Sequence, residues 1–277
     1  MKKIIVAMDF SRGAINAMDY AIDLALTANS EVLLLWVDTN FDEKTIVGEK
    51  NEIRHDAKLE LKRIIEEKKE KHEGLQISFK LKKGKVYQEL ASQVLASNAD
   101  LVVVGTHGIS GFEEFWVGSN AFKIISYSPC PVISVRADFT KSGSINRILI
   151  PIDDTFDTTK KVPMATKIAV AFGAQAELLG IYYSELPSLK KITDGYIKES
   201  ERYLLRHGLK TNFKACSSNN VSASIVKYAE DSQADLIVIM TDQDKANHDI
   251  IMGNNAQQII NRSSIPILSV KPGEMVF

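Results

Sequence analysis

Short apolar runs alternate along this chain with longer stretches of helical spacing. Ile4 to Met8 is a continuous apolar run of the kind a strand buried on both faces presents. Behind it, Ser11 stands where it can cap a helix, and Ala14, Ala17, Met18, Ala21 and Ala25 then recur on one helical face. Val32 to Val37 is a second buried run. Residues 51–72 are rich in Glu and Lys but keep Ile53, Ala57, Leu61, Ile64 and Ile65 on one side, which predicts an amphipathic surface helix with a solvated charged face. Ile77, Phe79 and Leu81 alternate as a strand. Val86, Leu90, Ala91, Val94 and Leu95 mark another helix face, and Leu101 to Val104 a fourth strand. Ile124 and Ile125 belong to a helix beginning near Ser119, and Val132 to Val135 is a fifth strand. Strands and helices alternating in this way predict a parallel sheet with helices on both faces.

The pattern then runs a second time. Lys3-Ile4-Ile5-Val6-Ala7-Met8-Asp9 matches Arg147-Ile148-Leu149-Ile150-Pro151-Ile152-Asp153 at an offset of 144. Ala99-Asp100-Leu101-Val102-Val103-Val104 matches Ala234-Asp235-Leu236-Ile237-Val238-Ile239 at an offset of 135, and Pro131 to Val135 matches Pro266 to Val270 at the same offset. The register is unbroken over residues 99–135, with Gly118 falling on Gly253 and Asn120 on Asn255. Two unrelated α/β units would share apolar strands but not such a register, so the chain reads as a duplication. The expected fold class is α/β: two tandem doubly wound, Rossmann-like domains, residues 1–138 and 145–277, each a five-stranded parallel sheet with helices on both faces. The join falls in the polar stretch 137–144.

Composition narrows the setting. A chain of 277 residues, 45% hydrophobic and 25% charged, has ample material for buried cores. Its net charge of −1 argues against a nucleic-acid or anionic-membrane partner. Two cysteines, Cys130 and Cys216, make no disulfide framework and favour a reducing compartment. The N-terminal apolar run stops at Asp9, too soon for a signal-peptide core, and no run approaches the roughly 18 residues of a membrane helix. The expectation is a cytoplasmic protein.

Candidate chemistry gathers at strand ends. Ligands of open α/β sheets bind beyond the carboxyl ends of the strands, where strand order reverses. Asp9 ends the first strand, Val37-Asp38 the second, and Val104-Gly105-Thr106-His107-Gly108 the fourth, followed by Gly118-Ser119-Asn120 at a helix start. The glycine spacing is G-x2-G-x9-G, with a serine next. Glycines let backbone approach a phosphate, and free N–H groups at a helix start favour an anion. Asp9 is an acceptor suited to a ribose hydroxyl or a base amino group. The same residues also suit a plainer reading, in which Gly105 and Gly108 form a tight turn and Ser119 only caps a helix.

On Asp9, the pattern Gly105-x2-Gly108-x9-Gly118-Ser119-Asn120, and Pro129-Cys130-Pro131-Val132 before the last strand, the chain resembles the universal stress proteins, in particular their tandem two-domain kind. The resemblance spans essentially the whole chain. It implies the adenine nucleotide alpha hydrolase-like fold and ATP as ligand, with Mg²⁺ or Mn²⁺ held mostly by the phosphates. Ala7, Met8 and Asp9 would contact the nucleoside, and Val37 would bond adenine through its backbone. Val104, Gly105, His107 and Gly108 would line the ribose and phosphate path, and Gly118, Ser119 and Asn120 would hold phosphates. It further implies that the fifth strands pair antiparallel as an intramolecular pseudo-dimer, leaving a homodimer of chains open.

The second copy departs from the pattern. Met240 replaces the first glycine, Gln243 the second and Asn254 the serine, while Gly253 and Asp153 remain. Asp242, Asp244 and Asp249 add charge that repels a triphosphate. With His248 they have no recognised metal-ligand spacing. Gly84-Lys85 is no phosphate loop, because Phe79 and Val86 stand where that motif needs glycine and Ser/Thr. Cys130 and Cys216 show no base partner, and no general base can be named. The expected function is non-catalytic adenine-nucleotide binding through the first domain in a stress response. Its rivals are an interaction or chaperone-like dimerisation module and a slow ATPase. The Asp9-Phe10-Ser11-Arg12 turn counts against an ATP pyrophosphatase, whose loop there reads Ser-Gly-Gly-x-Asp-Ser.

Overall fold

The computed structural model describes residues 1–39, 47–106, 119–140, 144–241 and 253–271, without the side chains of 47–51. Its first half runs β1 (Lys3–Met8), α1 (Arg12–Ala28), β2 (Glu31–Asp38), α2 (Val47–Lys71), β3 (Ile77–Lys83), α3 (Val86–Ser97), β4 (Leu101–Thr106), α4 (Ser119–Tyr127) and β5 (Val132–Arg136). The second half runs β6 (Arg147–Ile152), a short 3-10 helix (Thr158–Lys161), α5 (Val162–Phe172), β7 (Gln175–Tyr182), α6 (Pro187–Arg206), β8 (Thr211–Ser217), α7 (Val221–Asp231), β9 (Leu236–Met240), α8 (Asn254–Arg262) and β10 (Ile267–Val270).

These strands form one ten-stranded sheet in the order β3-β2-β1-β4-β5-β10-β9-β6-β7-β8. Within each half the strands are parallel. The halves meet where β5 pairs antiparallel with β10, Ile133 opposite Leu268. Each fifth strand thus covers an edge that would otherwise offer unpaired backbone. Strand order reverses at β1, which pairs with β2 on one side and β4 on the other.

The apolar runs become strands because both sheet faces are covered. Ile4 and Val6 pack with Leu34 and Val103 under α1 and α2, whereas Ile5 joins Leu35, Val102 and Val104 under α3 and α4. Ser11 caps α1, its Oγ accepting from Ala14 N at 3.2 Å. The duplication extends to hydrogen bonds. Asp100 Oδ2 accepts from Lys2 N (2.6 Å) and Lys3 N (3.2 Å), and Asp235 Oδ2 from Asn146 N (2.8 Å) and Arg147 N (3.0 Å). Ser128 Oγ donates to Cys130 O as Ser263 Oγ does to Ile265 O. Two positions differ from the sequence pattern. Leu95 is 67% exposed, and Gln93, 2% exposed, takes the buried place on α3. Ile53 of α2 is 43% exposed.

Candidate functional site

At the carboxyl end of the first half's sheet lies a cleft of about 720 Å³, lined by the ends of β1, β2 and β4 and the starts of α1 and α4. Of the residues singled out in the sequence, β1 and its turn bring Ala7, Met8 and Asp9, β2 brings Val37, β4 brings Val104 and Gly105, and α4 brings Ser119 and Asn120. His107, Gly108 and Gly118 lie outside the described residues.

The cleft also takes residues the sequence reading did not name for it. Trp36 and Thr39 flank Val37, and Ile53 of α2 reaches the rim, which accounts for its exposure. Ala137 and Asp138 belong to the stretch read as linker. Ala137 N donates to Thr106 O (3.0 Å), and Asn16 Nδ2 donates to Arg136 O (2.6 Å) and Phe139 O (2.8 Å), so the chain leaving β5 is tied to β4 and α1. The signal for this lay in the topology, since β5 neighbours β4 and its exit must pass the switch point.

The turn between β1 and α1 is closely determined. Ser11 N donates to Asp9 Oδ1 at 2.9 Å. Phe10 sits at φ 63°, a left-handed conformation that costs a bulky residue about 1–2 kcal/mol. Such strain concentrates at functional turns. Gly105 has a packing reason of its own. A Cβ there would fall 2.2 Å from the carbonyl carbon and oxygen of Gly13 and 2.8 Å from Ala14 N, so the glycine lets β4 approach the first turn of α1. Charge in the cleft is mixed. Asp9, Asp38 and Asp138 supply carboxylates, the last held by Arg136 Nε (2.9 Å) and Nη2 (2.8 Å), and Arg12 supplies a guanidinium.

The corresponding place in the second half is built differently. Asp153 keeps the turn, its Oδ1 accepting from Thr155 N at 3.0 Å. Where α1 would begin, the chain instead makes the 3-10 helix, and Asp157 and Met240 stand at the positions of Gly13 and Gly105. Lys161, almost fully buried, donates to Thr158 O (2.8 Å) and Thr158 Oγ1 (3.2 Å), and that same Oγ1 accepts from Asp153 N (3.1 Å). Tyr183 Oη donates to the Asp154 carboxylate, 2.6 and 2.7 Å from its two oxygens. That bond, with some burial, pushes the phenol up to about 12. The acidic loop with Asp242, Asp244, His248 and Asp249 lies outside the described residues.

Fold and cleft together define a tandem doubly wound α/β protein with a crevice at the switch point of its first half. Comparison with known proteins gives the class its name. The chain belongs to the universal stress protein family, whose sequence model matches residues 1–136 and again 144–271. It is 33% identical over 145 residues to the universal stress protein YxiE of Bacillus subtilis strain 168, a match covering 48% of this chain and 98% of that one. It is 28% identical over 144 residues to the universal stress protein MJ0531 of Methanocaldococcus jannaschii, covering 49% and 82%. A crystal structure of a universal stress protein from Archaeoglobus fulgidus DSM 4304 superposes over 98% of each chain with a TM-score of 0.81 at 17% identity, a likeness of fold. Among the described residues no helix is long and apolar enough to cross a membrane.

Proposed function

We propose that this protein binds one adenine nucleotide per chain, ATP being the ligand its glycine motif suits, in the cleft of the first half and without catalysing a reaction on it. The observation that carries the reading is the meeting of Asp9, Val37, Gly105, Ser119 and Asn120 in one cleft at the switch point. Asp9 has one oxygen held by Ser11 N, which fixes the carboxylate for a ribose hydroxyl. The backbone at Val37 would meet the adenine edge, and the start of α4 would present N–H groups and a positive dipole end to phosphate. Mg²⁺ or Mn²⁺ would arrive with the phosphates. The second half serves as the structural partner that closes the sheet through β10, with the Lys161–Thr158–Asp153 bonds tying its 3-10 helix to the end of β6. The protein works in the cytoplasm, in a stress response, and a dimer of chains would add to the internal pairing.

Isothermal titration of the full chain with ATP and MgCl2 tests this. The expected result is saturable binding at one site per chain, lost on Gly118→Val and kept on Gly253→Val. No saturation up to millimolar nucleotide, or two equal sites, overturns it.

A further inference from the structure

Arg12 is the first residue of α1, it lines the cleft, and it is exposed. Among the described residues it makes no hydrogen bond or ion pair, although Asp9, Asp38 and Asp138 line the same cleft. It is also the one cation among the described lining residues. A guanidinium in the first turn of a helix stands at the wrong end of the helix dipole, so its placement does nothing for the helix. It adds to the anion-attracting field of two helix starts, α1 and α4, that open on the cleft. In the second half the same position is Phe156, 78% exposed, beside the turn that Asp153 holds. No cation stands at that position itself in the second half, where Lys160 Nζ lies instead over the Phe156 ring, 5.4 Å from its centre. In sequence, residues 107–118 include Glu113 and Glu114 and neither Lys nor Arg.

Resting on the adenine-nucleotide reading, we propose that Arg12 is the phosphate-binding cation of this cleft and that it sets the ligand's charge. A monophosphate, at about −2, is balanced by one guanidinium and the helix starts. A triphosphate brings more charge than one guanidinium balances, and binds only when a divalent cation carries the excess. A planar guanidinium also suits two phosphate oxygens at once, which an ammonium does not.

Calorimetric titration of the full chain with adenosine, AMP and ATP, in EDTA and in MgCl2, tests the proposal. In EDTA, AMP is expected to bind about tenfold or more tightly than ATP, and Mg²⁺ to restore ATP while leaving AMP within about threefold. Arg12→Gln is expected to weaken AMP about tenfold or more and leave adenosine unchanged, with Arg12→Lys between the two. If adenosine binds and AMP is indifferent to Arg12→Gln, or ATP in EDTA binds as tightly as AMP, the proposal is overturned and the nucleotide reading stands. If none of the three binds the unaltered chain, the nucleotide reading falls and takes the proposal with it.

Discussion

Gly105→Ala adds one methyl group where backbone already stands. The new Cβ would lie 2.2 Å from Gly13 C and Gly13 O, against the roughly 3.5–4.0 Å at which carbon atoms rest. More than about 1 Å of separation must therefore open between β4 and the first turn of α1. No side chain can rotate away, because both sides of the contact are main chain. β4 cannot retreat freely either, since β1 pairs on one side and β5, with Gly105 opposite Val135, on the other. The turn of α1 must move, against the bonds of Ser11 Oγ to Ala14 N and of Ser11 N to Asp9 Oδ1.

Overpacking a close contact costs about 1–3 kcal/mol. Losing the helix cap adds about 1 kcal/mol. We expect Gly105→Ala to lower stability by about 3 kcal/mol, read as a fall in the urea midpoint by far-ultraviolet circular dichroism. Gly173→Ala is the control. That glycine ends α5 at φ 64° with nothing within 4 Å of its would-be Cβ, so it carries only the left-handed penalty of about 1 kcal/mol. Because the displaced turn lines the cleft, Gly105→Ala should also weaken nucleotide binding, and Gly173→Ala should not. A Gly105→Ala chain within about 0.5 kcal/mol of the unaltered one would refute the packing argument.

Asp9→Asn keeps the acceptor for Ser11 N but loses the charge; nucleotide affinity should fall about tenfold with the urea midpoint unchanged, whereas Asp153→Asn should leave affinity alone. Asp100 is partly buried, which disfavours its charge, but the bonds from Lys2 N, Lys167 Nζ and Lys3 N outweigh that and hold its carboxyl below the ordinary 3.8. A carboxylate lowered in this way stabilises above its ordinary value and ceases to as pH falls through the lowered one. Asp100→Asn should therefore cost about 1–2 kcal/mol at pH 7, with the difference closing only below pH 3.8, as urea midpoints across pH will show. Asp235→Asn, which keeps the same two backbone bonds but has, among the described residues, no counterpart of the Lys167–Asp100 pair between the halves, should cost about 0.5 kcal/mol less. Asp154→Asn removes the carboxylate whose hydrogen bond, and then whose charge, raises Tyr183, so alkaline absorbance titration should find one tyrosine ionising nearer 10.0 than 12. No change in the number of late-titrating tyrosines would show that Tyr183 does not hold that bond.

How much of this was legible in the chain depends on whether a residue's role is local. The strands and the Ser11 cap are written in spacing, because burial on both faces demands continuous apolar runs and a free N–H demands an oxygen three residues away. The duplication, too, was visible as register. Leu95 and Gln93 were not, since a helix face is chosen by what packs on it, and Gln93 is buried where its amide oxygen accepts from Lys80 Nζ at 3.3 Å. The site was half legible. Gly105 reads in sequence as a phosphate or turn glycine, but its tightest neighbour is Gly13, ninety-two residues earlier. Asp138 and Ala137 read as linker because only the β4–β5 pairing brings them back to the cleft. Lys161 was read as nothing in particular, since a buried ammonium is intelligible only once Thr158 is seen beside it.

The two halves therefore differ in a way that separates the needs of the sheet from the needs of the cleft. Val132-Ile133-Ser134-Val135 and Ile267-Leu268-Ser269-Val270 keep matching apolar character, and they pair with each other across the centre of the sheet. Asp100 and Asp235 keep the same backbone bonds at the start of β1 and β6. Each of these serves the shared sheet, and losing either copy would expose an edge or free a strand end. The pair Gly13 and Gly105, the strained Phe10 and the exposed Arg12 have no counterparts: Asp157, Met240, Asp154 and Phe156 stand there instead. These substitutions belong together. Without glycine at 157 and 240 the close approach of helix to strand is impossible, the first turn of the helix becomes a 3-10 turn, and Lys161 bonds to Thr158 within that turn. Restoring a single residue, as in Met240→Gly, would leave that turn and the buried lysine in place, so titration of that variant should show no nucleotide site beyond the one proposed for the first half until the turn is replaced as a unit.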